Sequence, residues 1–341
     1  MTTIKNRDLF LDIAKGLAII LVVVGHVIQG SSQHFDDLFW FRVIYSFHMP
    51  LFVFLSGAVA AIAFKSDRVQ DGVLAAFVQA KTKIVKATIR LLLPFISWCL
   101  INQFIYHHSD SVISALILAF RRPDTALWFL LAIFYCIVLA ELFNILFSAI
   151  YTLSKRVSFN GLANWILDGR VQIALMIFIW WTIREHTPRG AGLGLIRPYF
   201  IYYVLGIGFY KYIDLKIFTW KFLPAWLIFI GLIPFWSRTA IDNLDTSIVL
   251  PNAFTYFYAG MVALSGSFVI LSIAKWISET QIKALNSFLV LCGQLSLGIY
   301  AIHYFFLPFY PKVIAPLFIS IVFAYLINQI PIFRTTLLGE R

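Results

Sequence analysis

Charged residues and cysteines are scarce in this sequence. Only 13% of the 341 residues are charged and 61% are hydrophobic, whereas typical soluble domains have about 25% charged and about 45–50% apolar residues. So little charge cannot cover a water-soluble body of this size, which excludes a soluble fold. The cysteines, Cys99, Cys136 and Cys292, lie in apolar stretches without metal or redox spacing. They are typical of small core residues and indicate no disulfide framework.

Long apolar runs, by contrast, are abundant. A hydrocarbon core about 30 Å thick needs about 20 apolar residues to cross it as a helix. Ten runs approach this length, at residues 9–29, 39–64, 89–108, 126–152, 170–184, 198–213, 220–236, 253–274, 289–310 and 312–330. We therefore predict an all-α integral membrane protein with a bundle of about ten transmembrane helices. Residues 1–341 form one transmembrane domain in this prediction, without a separate soluble domain.

The positions of the basic residues predict the orientation in the membrane. If the N-terminus is cytoplasmic, most of the 27 Lys and Arg residues lie on the inner side, as the positive-inside rule requires. Both termini are then cytoplasmic. The net charge of +11 reports this bias and calls for no nucleic-acid partner. The amphipathic connection at 65–86 is expected to form a short helix along the inner membrane face.

The first apolar run carries a polar face. Because a helix turns about 100° per residue, Asp8, Asp12 and Lys15 are neighbours on one side, and His26 lies three turns beyond Lys15 with an offset of only about 20°. Ionisable groups within a membrane cost about 2.5 kcal/mol or more each unless they face protein or water. This face is therefore a candidate functional site.

Two further histidines fall inside apolar runs. His48 lies in the second run, which is antiparallel to the first, so His26 and His48 can both reach the outer half of one cavity. His303 lies about 14 residues, or ~21 Å, into a helix that runs outward. Three imidazoles are thus expected at similar depth. The spacing is not that of a metal motif, and no metal is predicted.

Five segments in order resemble the membrane-bound acyltransferase family 3. They read LDIAKGLAIILVVVGH, FHMPLFVFLSG, IRLLLPF, LWFLLAIFY and SLGIYAIH, and the similarity extends to the closing IPIFRTTLLGER. The branch of fucose 4-O-acetylase-like and enterobacterial-common-antigen O-acetyltransferases is the most similar. The resemblance implies a ten-helix catalytic bundle in the bacterial cytoplasmic membrane. It also implies acetyl transfer from cytoplasmic acetyl-CoA to a sugar hydroxyl of a surface polysaccharide or a lipid-linked glycan precursor.

The hallmark of this family is a basic residue followed, after ten positions, by histidine. Lys15 and His26 occupy these positions, with Lys where many members have Arg. Lysine is a compact charge rather than a planar fork, so an arginine-like grip on a planar or phosphate group is weakened. Asp12 can hold Lys15 in an ion pair. Mutual neutralisation near the interface explains that pair as well as a functional role does.

Histidine suits the chemistry that the resemblance implies. A sugar hydroxyl is a weak nucleophile at neutral pH, so its attack on a thioester needs a base, and His26 is the predicted base. An acyl-histidine intermediate is the open alternative. His48 or His303 would orient His26, shuttle the proton or stabilise the oxyanion. Tyr300, one turn before His303, either donates a hydrogen bond there or belongs to the interfacial aromatic belt.

Basic and aromatic residues at the two membrane faces are candidates for substrate binding. Lys83, Lys86 and Arg90 on the inner side suit the phosphates of acetyl-CoA, although any inner juxtamembrane segment attracts anionic lipid. Arg121, Arg122 and Trp128 on the outer side suit an acidic or lipid-diphosphate-linked glycan. Trp128 is equally typical of an interfacial belt residue.

Two other classes of function fit the same residues. Intramembrane Asp, Lys and His also build the relays of transporters and proton-coupled carriers. A carrier would release no free CoA from acetyl-CoA. A non-catalytic scaffold of a polysaccharide assembly complex would leave glycan acetylation intact when His26 is replaced.

Overall fold

The computed structural model describes residues 8–106, 111–121, 127–188, 190–213, 222–238, 249–280 and 282–340. Within these ranges the regular structure is helical, without a β-strand, which confirms the all-α prediction. The α-helices are α1 (Leu9–Gln29), α2 (Phe39–Tyr45), α3 (His48–Ala61), α4 (Val73–Ala87), α5 (Leu93–Tyr106), α6 (Val112–Arg121), α7 (Trp128–Arg156), α8 (Asn160–Leu167), α9 (Gly169–Ile183), α10 (Ile196–Tyr212), α11 (Leu223–Leu232), α12 (Val249–Glu279), α13 (Lys283–Gln294), α14 (Ser296–Ile302), α15 (Ile314–Gln329) and α16 (Pro331–Leu338).

Six helices in the described ranges are long and apolar enough to cross a membrane, and eight if each of two bent helix pairs counts as one span. The pairs are α8 with α9, bent by 90°, and α13 with α14, bent by 67°. The runs at 220–236 and 312–330 form shorter apolar helices. The multi-pass helical fold is thus shown, whereas ten complete spans and the orientation of the termini stay predictions.

Helices α4 and α5 form one continuous helix rather than an interfacial helix followed by a span. A π-helical turn, Thr88–Leu92, joins them. Pro94 lacks the N–H that would bond to the carbonyl of Arg90 four residues earlier, and its ring crowds that carbonyl. The wider turn accommodates Pro94 without ending the helix. The boundary predicted at residue 89 is therefore wrong, because the helix continues through it.

The C-terminal helix α16, which was not predicted, docks against this π-helical turn and α5. The indole Nε1 of Trp98 donates a hydrogen bond to the carbonyl oxygen of Leu337 at 2.8 Å. Gly339 ends α16 with φ +67°, a left-handed conformation that favours glycine. A Cβ on Gly339 would also clash with the carbonyl oxygen of Arg90. Glycine is thus required here both for the turn and for the close approach.

The chain divides into two compact units, residues 1–55 with 214–326 and residues 56–213 with 327–341. In the first unit, α1 packs against α12, α13 and α14, and α11 packs against α12. In the second unit, α7 is the central helix, because it contacts α4, α8 and α10, while α5 contacts α6 and α16. Each unit therefore has one long apolar helix at its centre.

The packing of α1 on α13 depends on two glycines. A Cβ on Gly16 would clash with the carbonyl oxygen of Leu289, and one on Gly293 would clash with the carbonyl oxygen of Asp12. Small residues at both positions let the two backbones touch, as is common between membrane helices. Since α1 carries His26 and the α13–α14 pair leads to His303, this contact sets the separation of the two histidines.

Replacing Gly16 with alanine is expected to lower the free energy of unfolding by about 1–3 kcal/mol, because the two backbones must separate. The thermal midpoint of the purified protein in detergent measures the effect. Gly231→Ala is the matched control, since it lies in a helix of the same unit and its added Cβ meets nothing within 4 Å. Equal midpoints for the two variants would contradict the role given to the α1–α13 contact.

Candidate active site

The three intramembrane histidines lie at helix ends in the first unit. His26 is in the last turn of α1, His48 begins α3, and His303 directly follows α14. Pro50 explains the position of His48, because proline is tolerated in the first turn of a helix but not in its interior. The run at 39–64 therefore breaks between α2 and α3, just before His48.

These histidines and two tyrosines form what we call the histidine cluster, consisting of His26, Tyr45, His48, His303 and Tyr304. The ring centroids of His26 and His303 are 5.2 Å apart. Tyr304 packs on both rings, at 4.5 Å from His26 and 4.4 Å from His303. His48 joins the cluster through Tyr45, whose ring lies 4.6 Å from that of His48 and 6.1 Å from that of His26.

The backbone fixes the protonated nitrogen of two of the imidazoles. Nδ1 of His48 lies 3.0 Å from the carbonyl oxygen of Ile44, and Nδ1 of His303 lies 3.0 Å from that of Ile299. A carbonyl oxygen only accepts, so each Nδ1 carries the proton and each neutral ring keeps a lone pair on Nε2. Nε2 of His303 is buried and has no hydrogen-bond partner in the part of the chain that the structure describes.

His26 is the most accessible of the three histidines in the cluster. It is half-buried, whereas His48 and His303 are 4% and 0% exposed. The hydroxyl of Tyr304 lies 2.8 Å from His26 Nε2 and 3.1 Å from Nδ1. On the other side, the Oε1 atom of Gln29 lies 3.1 Å from Nδ1. Of the three histidines, His26 is therefore the one that a bound ligand can reach.

Three members of this environment were not predicted, namely Gln29, Tyr45 and Tyr304. Gln29 follows His26 by three residues, so helical spacing could have indicated it, whereas Tyr45 and Tyr304 reach His26 from other helical segments. The predicted Tyr300 is buried, with its ring 6.1 Å from that of His303. The tyrosine that reaches His26 is thus Tyr304 rather than Tyr300.

The other polar residues of α1 lie nearer its beginning. Lys15 Nζ and Asp12 Oδ1 form an ion pair at 2.7 Å, as the spacing predicted. Asp8 caps the helix, because its Oδ1 accepts a hydrogen bond from the backbone N–H of Phe10 at 3.0 Å. The shared face of α1 therefore contains a helix cap and an ion pair, and His26 lies about 16 Å further along the helix axis.

The residues predicted to bind acetyl-CoA, the acetyl donor, have different surroundings in the second unit. Lys83 shares the face of α4 that buries Ala76, Ala80 and Ala87, and its Nζ lies 2.6 Å from Oε1 of the buried Glu141 in α7. Lys86 and Arg90 are exposed. Glu141 was not among the predicted site residues. A single acidic residue within the apolar run at 126–152 was the signal that could have revealed it.

A small pocket, partly open to solvent, lies beside this ion pair. Its lining consists of Phe64, Lys65, Arg68, Val69, Ala76, Gln79, Lys83, Glu141, Asn144 and Ser148. Lys65 and Arg68 make no ion pair with a described residue, so the pocket has positive charge in excess over Glu141. Neither of these two basic residues was among those predicted to bind acetyl-CoA.

Arg121 and Trp128, which were predicted to bind the glycan acceptor, lie elsewhere in the second unit. Arg121 is exposed at the end of α6, and Trp128 begins α7 with its ring 5.2 Å from that of Tyr199. Arg122 lies outside the described residues. The side chain of Trp128 is half-buried, so one face of the indole is packed against protein.

A multi-pass helical bundle that contains a cluster of imidazoles is the architecture of either a membrane-embedded enzyme or a proton relay. The comparison with protein families decides between these classes. A family model of the acyltransferase domain, acyltransferase family 3, matches residues 8–335. The chain belongs to this family, which confirms the family resemblance and does not favour a transporter, while the branch within the family stays a prediction.

Two curated relatives are similar to part of this chain. The nodulation protein NolL of Sinorhizobium fredii (strain NBRC 101917 / NGR234) is 32% identical over 185 residues, which cover 50% of this chain and 43% of that protein. NolL of Mesorhizobium japonicum is 28% identical over 173 residues, 48% of this chain and 40% of that protein. The similarity thus covers less than half of each relative. No solved structure matches the chain.

Proposed function

We propose that this protein is an O-acetyltransferase of the bacterial cytoplasmic membrane. It moves an acetyl group from cytoplasmic acetyl-CoA to a sugar hydroxyl of a surface polysaccharide or a lipid-linked glycan precursor. About ten helices cross the membrane in this proposal, and both termini are cytoplasmic. Membership of an acyltransferase family supports the reaction class, and the basic loops support the orientation.

The observation that carries the proposal is the pair of adjacent imidazoles, His26 and His303. Their ring centroids are 5.2 Å apart, and His303 keeps a buried, unprotonated Nε2. His26 is the base, because it is the accessible ring. His303 and His48 are held by their own helices and orient the groups around it. The Asp12–Lys15 pair stabilises the helix that carries His26.

In the proposed reaction the sugar hydroxyl oxygen attacks the thioester carbonyl carbon. The hydroxyl proton passes to His26 Nε2, either directly or through the Tyr304 hydroxyl, which gives its own proton to Nε2 and takes that of the sugar. The carbon–sulfur bond then breaks, and the imidazolium returns the proton to the CoA thiolate.

A covalent route is the second candidate for the same site. Here His26 Nε2 attacks the thioester, CoA leaves as the thiol, and the acetyl-imidazole transfers its acetyl group to the sugar. The same unprotonated nitrogen serves both routes. Purified protein incubated with acetyl-CoA alone separates them, because only the covalent route adds one acetyl group to the intact protein mass.

The acceptor is proposed to bind at the outer face through Arg121, Arg122 and Trp128. Arginine pairs with carboxylate or phosphate groups of an acidic glycan, and an indole face stacks on a sugar ring. Mass spectrometry of the surface polysaccharide from cells with and without the gene tests the acceptor class. A polysaccharide with the same acetyl content in both strains would contradict it.

Donor phosphates are proposed to bind in the pocket beside Lys83. Arg68 and Lys65 supply charge there that no described carboxylate neutralises, and charged hydrogen bonds to phosphate are strong. Lys86 and Arg90, which are exposed, add positive charge over a longer range. The carboxylate of Glu141 is already paired with Lys83, so it repels a phosphate less than a free carboxylate would.

We expect Arg68→Ala to raise the KM for acetyl-CoA about tenfold while kcat stays nearly unchanged, because a binding contact is lost equally in ground and transition states. Lys86→Ala removes the same charge outside the pocket and is expected to raise KM about twofold or less. Steady-state release of CoA measures both values. A larger effect of Lys86→Ala than of Arg68→Ala would indicate that the phosphates bind at the exposed face of α4 instead.

A further inference from the structure

We infer that Gln29 is a positioning residue, which fixes the proton of His26 on Nδ1 and so keeps Nε2 free to act as the base. Tyr45 holds Gln29 in place. The inference rests on the proposed function of His26 but adds two residues to which neither the family match nor the proposed reaction assigns a role. It concerns the side of His26 that faces away from the reacting nitrogen.

The geometry converges on one oxygen atom. Gln29 Oε1 lies 3.1 Å from His26 Nδ1 and 2.6 Å from the Tyr45 hydroxyl. An amide oxygen has two lone pairs and only accepts, so it can take one hydrogen from each neighbour. Tyr45 therefore donates its hydroxyl hydrogen to Gln29, and Nδ1 of His26 donates the second.

Tyr304 cannot select the tautomer of His26. Its hydroxyl lies within 3.1 Å of both ring nitrogens, and a hydroxyl can donate to either of them or accept from either. Two contacts involve Nδ1 alone, Gln29 Oε1 at 3.1 Å and the Tyr45 hydroxyl at 3.2 Å. Because Tyr45 donates its hydrogen to Gln29, both oxygens are left to accept from Nδ1, and together they distinguish the nitrogens. They give His26 the same tautomer that the backbone carbonyls impose on His48 and His303.

The position of Tyr45 is itself fixed by packing. Its ring stacks on Phe41 with centroids 3.8 Å apart and contacts His48 at 4.6 Å. On α1, Gly25 leaves the space that the ring occupies, because a Cβ there would come within 2.9 Å of the Tyr45 ring. The packed ring thus fixes the position of the Tyr45 hydroxyl that donates to Gln29. The Gln29 amide is held between Tyr45 and His26.

A neutral orienting group suits a base that lies in a membrane. A carboxylate at this position would also accept from Nδ1, but it would place a second charge in a low-dielectric environment. The amide supplies the same hydrogen bond without that charge. The orienting role familiar from catalytic triads, in which a third group fixes the histidine tautomer, is thus filled here by glutamine.

The test combines kinetics with a direct observation of the tautomer. Full-length protein in detergent is prepared as wild type, Gln29→Ala, Gln29→Glu, Tyr45→Phe and, as the matched control, Gln33→Ala, which makes the same change in an exposed loop four residues away. Release of CoA from acetyl-CoA with a glycan acceptor gives kcat and KM. Selective ¹⁵N labelling of the seven histidines gives the imidazole nitrogen shifts, with His26 assigned by its absence in His26→Ala.

We expect Gln29→Ala to lower kcat about tenfold with little change in KM, and Tyr45→Phe to lower it about threefold. Gln29→Glu keeps the acceptor and is expected to recover most of the loss. The wild-type spectrum should show a protonated Nδ1 at His26, and Gln29→Ala should show a mixture of tautomers. Gln33→Ala should match the wild type in both measurements.

Two results would overturn the inference. One is a wild-type spectrum with the proton on Nε2 of His26, which would mean that the glutamine amide donates to Nδ1 instead. The other is wild-type kcat in Gln29→Ala. Neither outcome affects the proposed function, which fails separately if His26→Ala retains wild-type turnover.

Discussion

Replacing His26 with alanine is expected to lower the rate of CoA release at least about a hundredfold, since general bases contribute about 10²–10⁴ in rate. The variant keeps the helix, because alanine is the strongest helix former and His26 lies in the last turn of α1. KM for acetyl-CoA should change little, because the residue is proposed to act on the sugar proton rather than on the donor phosphates. Purified protein in detergent, acetyl-CoA and a glycan acceptor are sufficient for the measurement.

His34→Ala is the control for this variant. It makes the same substitution eight residues further along, in an exposed loop, and is expected to leave turnover unchanged. Full activity in folded His26→Ala would contradict the proposed chemistry and would favour a base outside the histidine cluster. Intact protein mass after incubation with acetyl-CoA alone adds a second readout, since an acetylated wild type and an unmodified His26→Ala together would establish the covalent route.

Replacing Lys83 with methionine is expected to lower the free energy of unfolding by about 2 kcal/mol, because it leaves the Glu141 carboxylate unpaired in an apolar environment. The pair is asymmetric, with the Glu141 side chain 9% exposed and that of Lys83 32% exposed. The carboxylate is therefore the less hydrated of the two groups. The thermal midpoint of the purified protein is the measurement.

The double variant Lys83→Met with Glu141→Gln is expected to recover most of this loss, because no buried charge remains. Lys81→Met is the matched control, since Lys81 is exposed two residues earlier on the same helix, and its midpoint should equal that of the wild type. If Lys83→Met is as stable as the control, the ion pair contributes nothing to the fold. Lys83 is then free to serve the donor alone.

Apolar runs predicted the helices well but not the way they cross the membrane. Each of the ten runs contains helix in the described residues, yet two of them belong to pairs bent by 90° and 67°. The length of an apolar run does not reveal such a bend, because a bend depends on the elements packed around it. Pro94 illustrates the same limit, since a π-helical turn carries the helix past a residue that usually ends one.

Local periodicity was sufficient to predict contacts within one helix. The Asp12–Lys15 ion pair follows from a spacing of three residues, and the structure shows it at 2.7 Å. Periodicity could not predict contacts between helices. Glu141 is 58 residues from Lys83, and Tyr304 is 278 residues from His26.

By itself the sequence determined that this is a helical membrane protein of an acyltransferase family, and which histidines lie within its apolar helices. Composition and a period of 3.6 residues are properties of the chain, so they can be read without a fold. The tertiary structure alone decided that His26 meets Tyr45 and Tyr304, and that Lys83 meets Glu141. Those contacts arise from the close packing of helices that glycines such as Gly16 and Gly293 permit, and packing depends on shape rather than on sequence pattern.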